Sequence, residues 1–175
     1  PQVQSTSDSL GALKDEDYWQ AQPSLDDNQG AILDGPEYLN FMNFDAAGSA
    51  ITFDSNSFAP DSASTATSIS TGHKTYSGSI NVDETGSVAY ETIAEQLKDQ
   101  KNYKIGVITS VNLNHATPAA FYAHQASRNS YYEIGLEMVD SGFDYFAGGA
   151  LLKPTGSEGD QADLYDLAAE AGYKV

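Results

Sequence analysis

Cysteine is absent from this chain of 175 residues. That excludes disulfides, thiolate zinc sites and a cysteine nucleophile. Basic residues are scarce: eight Lys plus Arg stand against 25 Asp plus Glu, the net charge is -17, and Arg128 is the only arginine. Nucleic acid and anionic membrane surfaces both need basic patches, so neither is expected as a specific partner. No run of about 18 apolar residues occurs, so no membrane span is expected. No basic start followed by an apolar stretch occurs either, so the chain shows no signal peptide. A Gly-x-Ser-x-Gly elbow, a Walker A loop and a dinucleotide glycine pattern are all missing, which argues against a serine esterase and the common nucleotide folds.

What is present argues for a folded protein. Hydrophobic residues make up 40% and aromatics 11%, too much for a disordered acidic chain. The length suits one domain or part of a larger one. The acidity fits a salt-rich habitat or an acidic secreted protein. Such a chain can hold an anion only where positive charge is concentrated locally, by metal ions or by the single Arg.

Residues 1 to about 37 are rich in Gln, Ser, Asp and Asn and read as a loosely structured acidic segment. Asp15-Glu16-Asp17 and Asp26-Asp27 lack calcium-loop spacing and read as solvated loops. Ile51-Thr52-Phe53 reads as a short strand. Asp61 is placed as an N-cap and Gly72 as a C-terminal stop for a helix of small residues between them, one suited to burial. Ala89, Ile93 and Leu97 recur every four residues, predicting an amphipathic helix over 87–100. Residues 104–110 read as a buried strand, 111–117 as a loop, and Pro118 as the first turn of a helix reaching Gln125. Tyr131, Ile134 and Met138 mark a helix ended near Gly142. Phe143 to Phe146 reads as a strand stopped by Gly148-Gly149. Leu164, Leu167, Ala168 and Ala171 mark a last helix, and Tyr173-Lys174-Val175 the start of another strand. Alternating helices and strands predict an α/β fold with a mainly parallel sheet sandwiched by helices. Its chemistry belongs in loops beyond the carboxyl ends of strands.

Three places can carry chemistry. Ser62 begins the small-residue helix, where backbone N–H groups favour an anion; Asp-Ser before an Ala-rich run is also an ordinary helix start. His115 and Thr117 lie two residues apart after a strand and can face one cation, or form a surface loop with a helix cap. Arg128 can clamp two phosphate oxygens at once, or pair with one of many acids on the surface. His73 and His124 are isolated and read as structural.

Taken together, Asp61-Ser62-Ala63-Ser64-Thr65-Ala66-Thr67 resembles the phosphoserine signature of alkaline phosphatases. The likeness continues through Thr71-Gly72-His73-Lys74-Thr75, Val82-Asp83, Val107 to Ser110, His115-Ala116-Thr117-Pro118-Ala119-Ala120, Tyr122-Ala123-His124 and Ser127-Arg128. Phe143 to Gly149 is similar to a later family strand. These motifs stand in family order over about residues 38–175, which defines a partial alkaline-phosphatase-like α/β domain.

The resemblance implies hydrolysis of phosphate monoesters through a covalent phosphoserine on Ser62. It implies two zinc ions, one of them on Ser62, and a magnesium ion nearby. Thr117 matches a magnesium ligand. His115 matches a position that is Asp in some members and His in others. Arg128 matches the phosphate clamp, with Asp61 orienting it. A homodimer and an extracytoplasmic location are also implied. Ala59 stands where the family signature usually has Ile or Val. The early family Gly-Asp-Gly turn is not evident, Asp34-Gly35 being only an echo of it. The later His and Asp zinc ligands are not found before Val175. The chain is therefore expected to be a portion of a longer enzyme, with little activity alone. Two alternatives remain: a silent binding or structural module of the same fold without zinc, and an acidic binding protein in which Ser62 and Thr117 are merely caps.

Overall fold

The computed structural model describes residues 44–46 and 48–175. The expected change in character at residue 37, Asp34-Gly35 and the early acidic clusters lie outside them. Contacts divide the chain between Ser49 and Ala50, and every element below belongs to the second unit. In chain order these are α1 (Ser62–Thr71), α2 (Ile93–Lys101), β1 (Gly106–Asn112), α3 (Ala116–Ala119), α4 (Tyr131–Asp140), β2 (Tyr145–Gly149) and α5 (Leu164–Glu170). Strands β1 and β2 pair in parallel, Val107 opposite Phe146 and Ile108 opposite Ala147. The crossover between them carries α3 and α4, so the fold is α/β, as the alternation of elements predicts.

Helix α1 forms as read. The Asp61 side chain accepts from the Ser64 N–H at 3.0 Å, and Gly72 closes the helix at φ 77°. Its hydroxyls turn back on the preceding turn: Thr65 Oγ1 donates to the Asp61 carbonyl, Ser68 to Ser64 and Thr71 to Thr67. This back-bonding satisfies polar groups that would otherwise be costly to bury. Ala63, Ser64, Ala66, Thr67 and Ser70 are buried, and the hydroxyls among them have partners of their own: Ser64 reaches Asp54, Thr67 accepts the Asn81 N–H, and Ser70 reaches Asn81. With so little side chain in the way, α1 packs directly on α3, among the buried Ala116, Ala119, Ala120 and Ala123.

Other boundaries depart from the sequence reading, each for a local reason. Residues 51–53 are exposed and not a strand. Helix α2 starts at Ile93 rather than 87, because the stretch before it has other partners. The Asp83 carboxylate accepts from the Ser87 and Val88 N–H groups, and Ala89 bridges Val82. Such side-chain capture competes with the helix. The helix begins where Thr92 and Glu95 form a reciprocal capping box. Helix α3 ends at Ala119, since tight turns follow and the carbonyls of Ala120 and Ala123 accept from the Asn81 side chain.

Strand β2 begins later than expected and runs through Gly148 and Gly149 instead of stopping at them. A Cβ on Gly148 would lie 2.7 Å from Thr109 Cγ2 and 3.0 Å from the Val111 carbonyl oxygen. The glycine permits close approach to β1 and is not a turn signal. Residues 173–175 are not in a strand.

Asn81 ties this core together. It is fully buried at a positive φ of 50°. It accepts from Ser70 Oγ at 3.1 Å and donates to the carbonyls of Ala120 and Ala123, both at 2.8 Å. Asn81→Ala strands the buried carbonyls of Ala120 and Ala123 and leaves Ser70 Oγ with only the Thr67 carbonyl. Unfolding in denaturant should show a loss on the order of 3 kcal/mol; an unchanged midpoint would refute the tie.

Candidate active site

The N-terminus of α1 holds three of the expected residues together. Asp61 is the N-cap, and Ser62 is the first helical residue and exposed to solvent. A single nitrogen of the only arginine meets both: Arg128 Nη1 donates to Asp61 Oδ2 at 2.7 Å and to Ser62 Oγ at 2.8 Å. Arg128 comes from the loop after α3, more than sixty residues along the chain. Backbone bonds place that loop. The Arg128 N–H donates to the Gly78 carbonyl at 2.7 Å, and Ile80 and Gln125 exchange N–H···O bonds at 2.8 and 3.0 Å.

The carboxylate of Asp61 is divided between two tasks. Oδ2 takes the guanidinium. Oδ1 accepts the N–H groups of Ser64 and Gly78, each at 3.0 Å. Partial burial alone would raise its pKa, but these donors and the guanidinium hold it down at about 2. Asp61 is therefore ionised at neutral pH and keeps Arg128 against Ser62 Oγ.

His115 ends the loop after β1 and precedes α3 without making a side-chain cap bond. Burial, and then the charge of Arg128, lower its pKa. The imidazole is thus neutral near pH 7, the form that binds metals, and it lies within electrostatic reach of the guanidinium. Thr117 sits one residue into α3 with an exposed side chain. No hydrogen bond among the described residues joins Thr117 or His115 to Asp61, Ser62 or Arg128. Among the described residues no group of three or more His, Asp or Glu is placed to hold a metal ion. No helix among them is long and apolar enough to cross a membrane.

Two supports were not legible in the sequence. His124 is not isolated: it lies between Glu95 on α2 at 3.5 Å and Glu137 on α4 at 3.7 Å. The Glu137 carboxylate also takes the His124 N–H and the Gln125 side chain. This clamp fixes the start of the segment that ends in Arg128. The second support is Asp54, buried behind α1. His73, read as structural, stacks on Tyr90 at 4.3 Å.

Burial would lower the His124 pKa, but the two glutamates push it up to about 10, and their own pKa values fall. A raised folded-state pKa stabilises fully below the unfolded value of about 6.5 and is lost as pH rises towards 10. The difference in thermal midpoint between wild type and His124→Gln should therefore be largest near pH 5–6 and shrink to nothing by about pH 10. A difference independent of pH would mean that the clamp is not ionic.

Comparison with known proteins places the chain. The family model for alkaline phosphatase matches residues 15–145. An alkaline phosphatase of Schizosaccharomyces pombe is 32% identical over 133 residues, covering 73% of this chain and 23% of the relative. The solved alkaline phosphatase of the Antarctic bacterium TAB5 is 36% identical, with a TM-score of 0.64 over 70% of this chain and 35% of that one. A His-to-Asp variant of the TAB5 enzyme with Mg bound in its M3 site is 31% identical, with a TM-score of 0.68 over 84% and 41% of the two chains. The chain spans less than a quarter of the length of curated relatives such as those of Schizosaccharomyces pombe and Drosophila melanogaster. The match of a family model over most of the chain and the likeness in sequence and fold agree: the chain belongs to the alkaline phosphatase family.

Proposed function

We propose that this chain carries the nucleophile and the phosphate clamp of a phosphate monoester hydrolase, within a partial alkaline-phosphatase-like domain over about residues 38–175. One observation carries the reading: the single arginine of a chain with net charge -17 places one nitrogen on both Ser62 Oγ and Asp61. A phosphate monoester is a dianion near neutral pH, and elsewhere such a chain repels it. At the start of α1, N–H groups and the guanidinium offset that repulsion.

Ser62 Oγ attacks the phosphorus, forming the O–P bond as the ester P–O bond breaks. The serine proton leaves to solvent and the departing alkoxide takes up one proton. Water then attacks the phosphoserine, which restores Ser62 and releases inorganic phosphate. Arg128 holds non-bridging oxygens through both steps, and Asp61 holds Arg128. Phosphoryl transfer asks little of a protein beyond such alignment and charge.

Metals enter with a limit. Ser62, Thr117 and a neutral His115 would offer two hydroxyl oxygens and an imidazole to ions. Thr117 suits magnesium, which prefers oxygen. The described residues alone do not fit zinc, which wants three or four protein ligands. When bound, divalent ions would supply charge that lowers the pKa of the nucleophile. A homodimer and an extracytoplasmic location go with the family reading and remain part of this proposal. The small set of metal ligands keeps a second reading in view, a silent module of the same fold that holds no zinc.

Incubating the full-length protein with p-nitrophenyl phosphate should give turnover, and acid quenching should trap phosphoserine on Ser62. Ser62→Ala should abolish the trapped intermediate. Arg128→Ala should lower kcat/KM by about 10²-fold or more, as removal of one oxyanion donor does. A full-length protein with no zinc, no turnover and no phosphoserine would establish the silent module instead.

A further inference from the structure

Asp54 lies in the loop before α1 and is 4% exposed. No ion pair among the described residues includes it. All its partners are neutral donors. Oδ1 accepts from the N–H groups of Asn56 at 3.1 Å and Ser57 at 2.7 Å. Oδ2 accepts from Ser64 Oγ at 2.9 Å and from Ser77 Oγ. Burial would raise its pKa, but the two hydroxyls and two N–H groups leave it below the ordinary value. A buried carboxylate without a cation is costly unless its lone pairs are filled. Here four donors fill them, and the two on Oδ2 each adjoin the Asp61 frame.

The first is Ser64. Its hydroxyl lies 2.9 Å from Asp54 Oδ2 and also 2.9 Å from Asp61 Oδ1, yet it has one proton to give. Asp61 Oδ1 already takes two N–H donors. Donating to Asp54 keeps a third donor off Asp61, so more negative charge stays on Oδ2 for Arg128. The second is Ser77. It precedes Gly78, whose N–H donates to Asp61 Oδ1 at 3.0 Å and whose carbonyl accepts the Arg128 N–H at 2.7 Å. One buried carboxylate therefore grips both the start of α1 and the loop that supports Arg128.

We propose that Asp54 is a positioning residue for Arg128, acting through Ser64 and Ser77 on Asp61. For catalysis, this rests on the reading of Arg128 as a phosphate clamp. The positioning itself does not. An asparagine cannot replace the carboxylate, since its Nδ2 would donate to Ser64 and Ser77 where Asp54 accepts. Ser64 would then turn its proton to Asp61.

The test uses the full-length protein and the variants Asp54→Asn, Ser64→Ala/Ser77→Ala, and all three together. The Arg128 guanidinium ¹⁵N signals, assigned by their loss in Arg128→Lys, report how firmly it is held. Asp54→Asn should speed solvent exchange of the Nη protons about tenfold and weaken inhibition by inorganic phosphate about tenfold, with KM rising more than kcat falls. In the Ser64→Ala/Ser77→Ala background the same substitution should add nothing, because its route is gone. An undiminished effect in that background overturns the proposal. So does unchanged exchange in Asp54→Asn, or a fall in kcat matched only by a smaller active fraction. Should Asp54→Asn fail to fold, unchanged Arg128 exchange in Ser64→Ala/Ser77→Ala overturns it alone. A wild type that neither turns over phosphate esters nor binds phosphate sinks the clamp reading, while the exchange measurement still decides the positioning.

Discussion

Everything at this site depends on one nitrogen holding two oxygens. Arg128 Nη1 is within 2.8 Å of both Asp61 Oδ2 and Ser62 Oγ. A guanidinium cannot lose its proton and presents its donors in a fixed fork. Its position is therefore set by whatever fixes Asp61 and the Arg128 backbone. In a chain so acidic the positive charge has many possible partners on the surface. Its selection of Asp61 requires that aspartate to be ionised, anchored and aimed, and the low pKa and two N–H donors on Oδ1 meet those conditions.

The scaffold works towards the same end. Small side chains let α1 approach α3 closely, which brings the start of α1 beside the loop that follows β1. That loop holds His115, whose pKa is lowered by burial and then by the nearby guanidinium. His124, four residues before Arg128, is clamped between helices α2 and α4. The ionic clamp holds where His124 is charged and both glutamates are ionised. It weakens at the alkaline end as the imidazole titrates near 10 and at the acid end as the carboxylates are protonated. Backbone bonds at Gly78 and Ile80 complete the attachment. The site is thus a meeting of one helix start and one loop, each held at two points.

Some of this was legible in the sequence because it is local. Asp61 and Gly72 bound α1 through short-range capping chemistry, which survives any tertiary context. The alternation of helices and strands declared the α/β class. Asp61, Ser62 and Arg128 were singled out by residue type and by family motif order, and the fold brings them together. What failed was decided by longer-range partners. The helix expected from residue 87 gave way to the Asp83 turn and the bridge to Val82. The Gly148-Gly149 pair looked like a turn because its need for smallness arises from β1, across the sheet. Asp54 and His124 could not be read as supports, since their partners lie 10 to 29 residues away in the chain. No periodicity or motif marks such pairs.

The most direct measurement is a crystal structure of the full-length protein with orthovanadate, which mimics the five-coordinate phosphoryl group. The account predicts vanadium bonded to Ser62 Oγ, with equatorial oxygens on the Arg128 guanidinium and Asp61 still holding Arg128 from behind. Vanadate bound elsewhere, with Arg128 unmoved from Ser62 and Asp61, would contradict it.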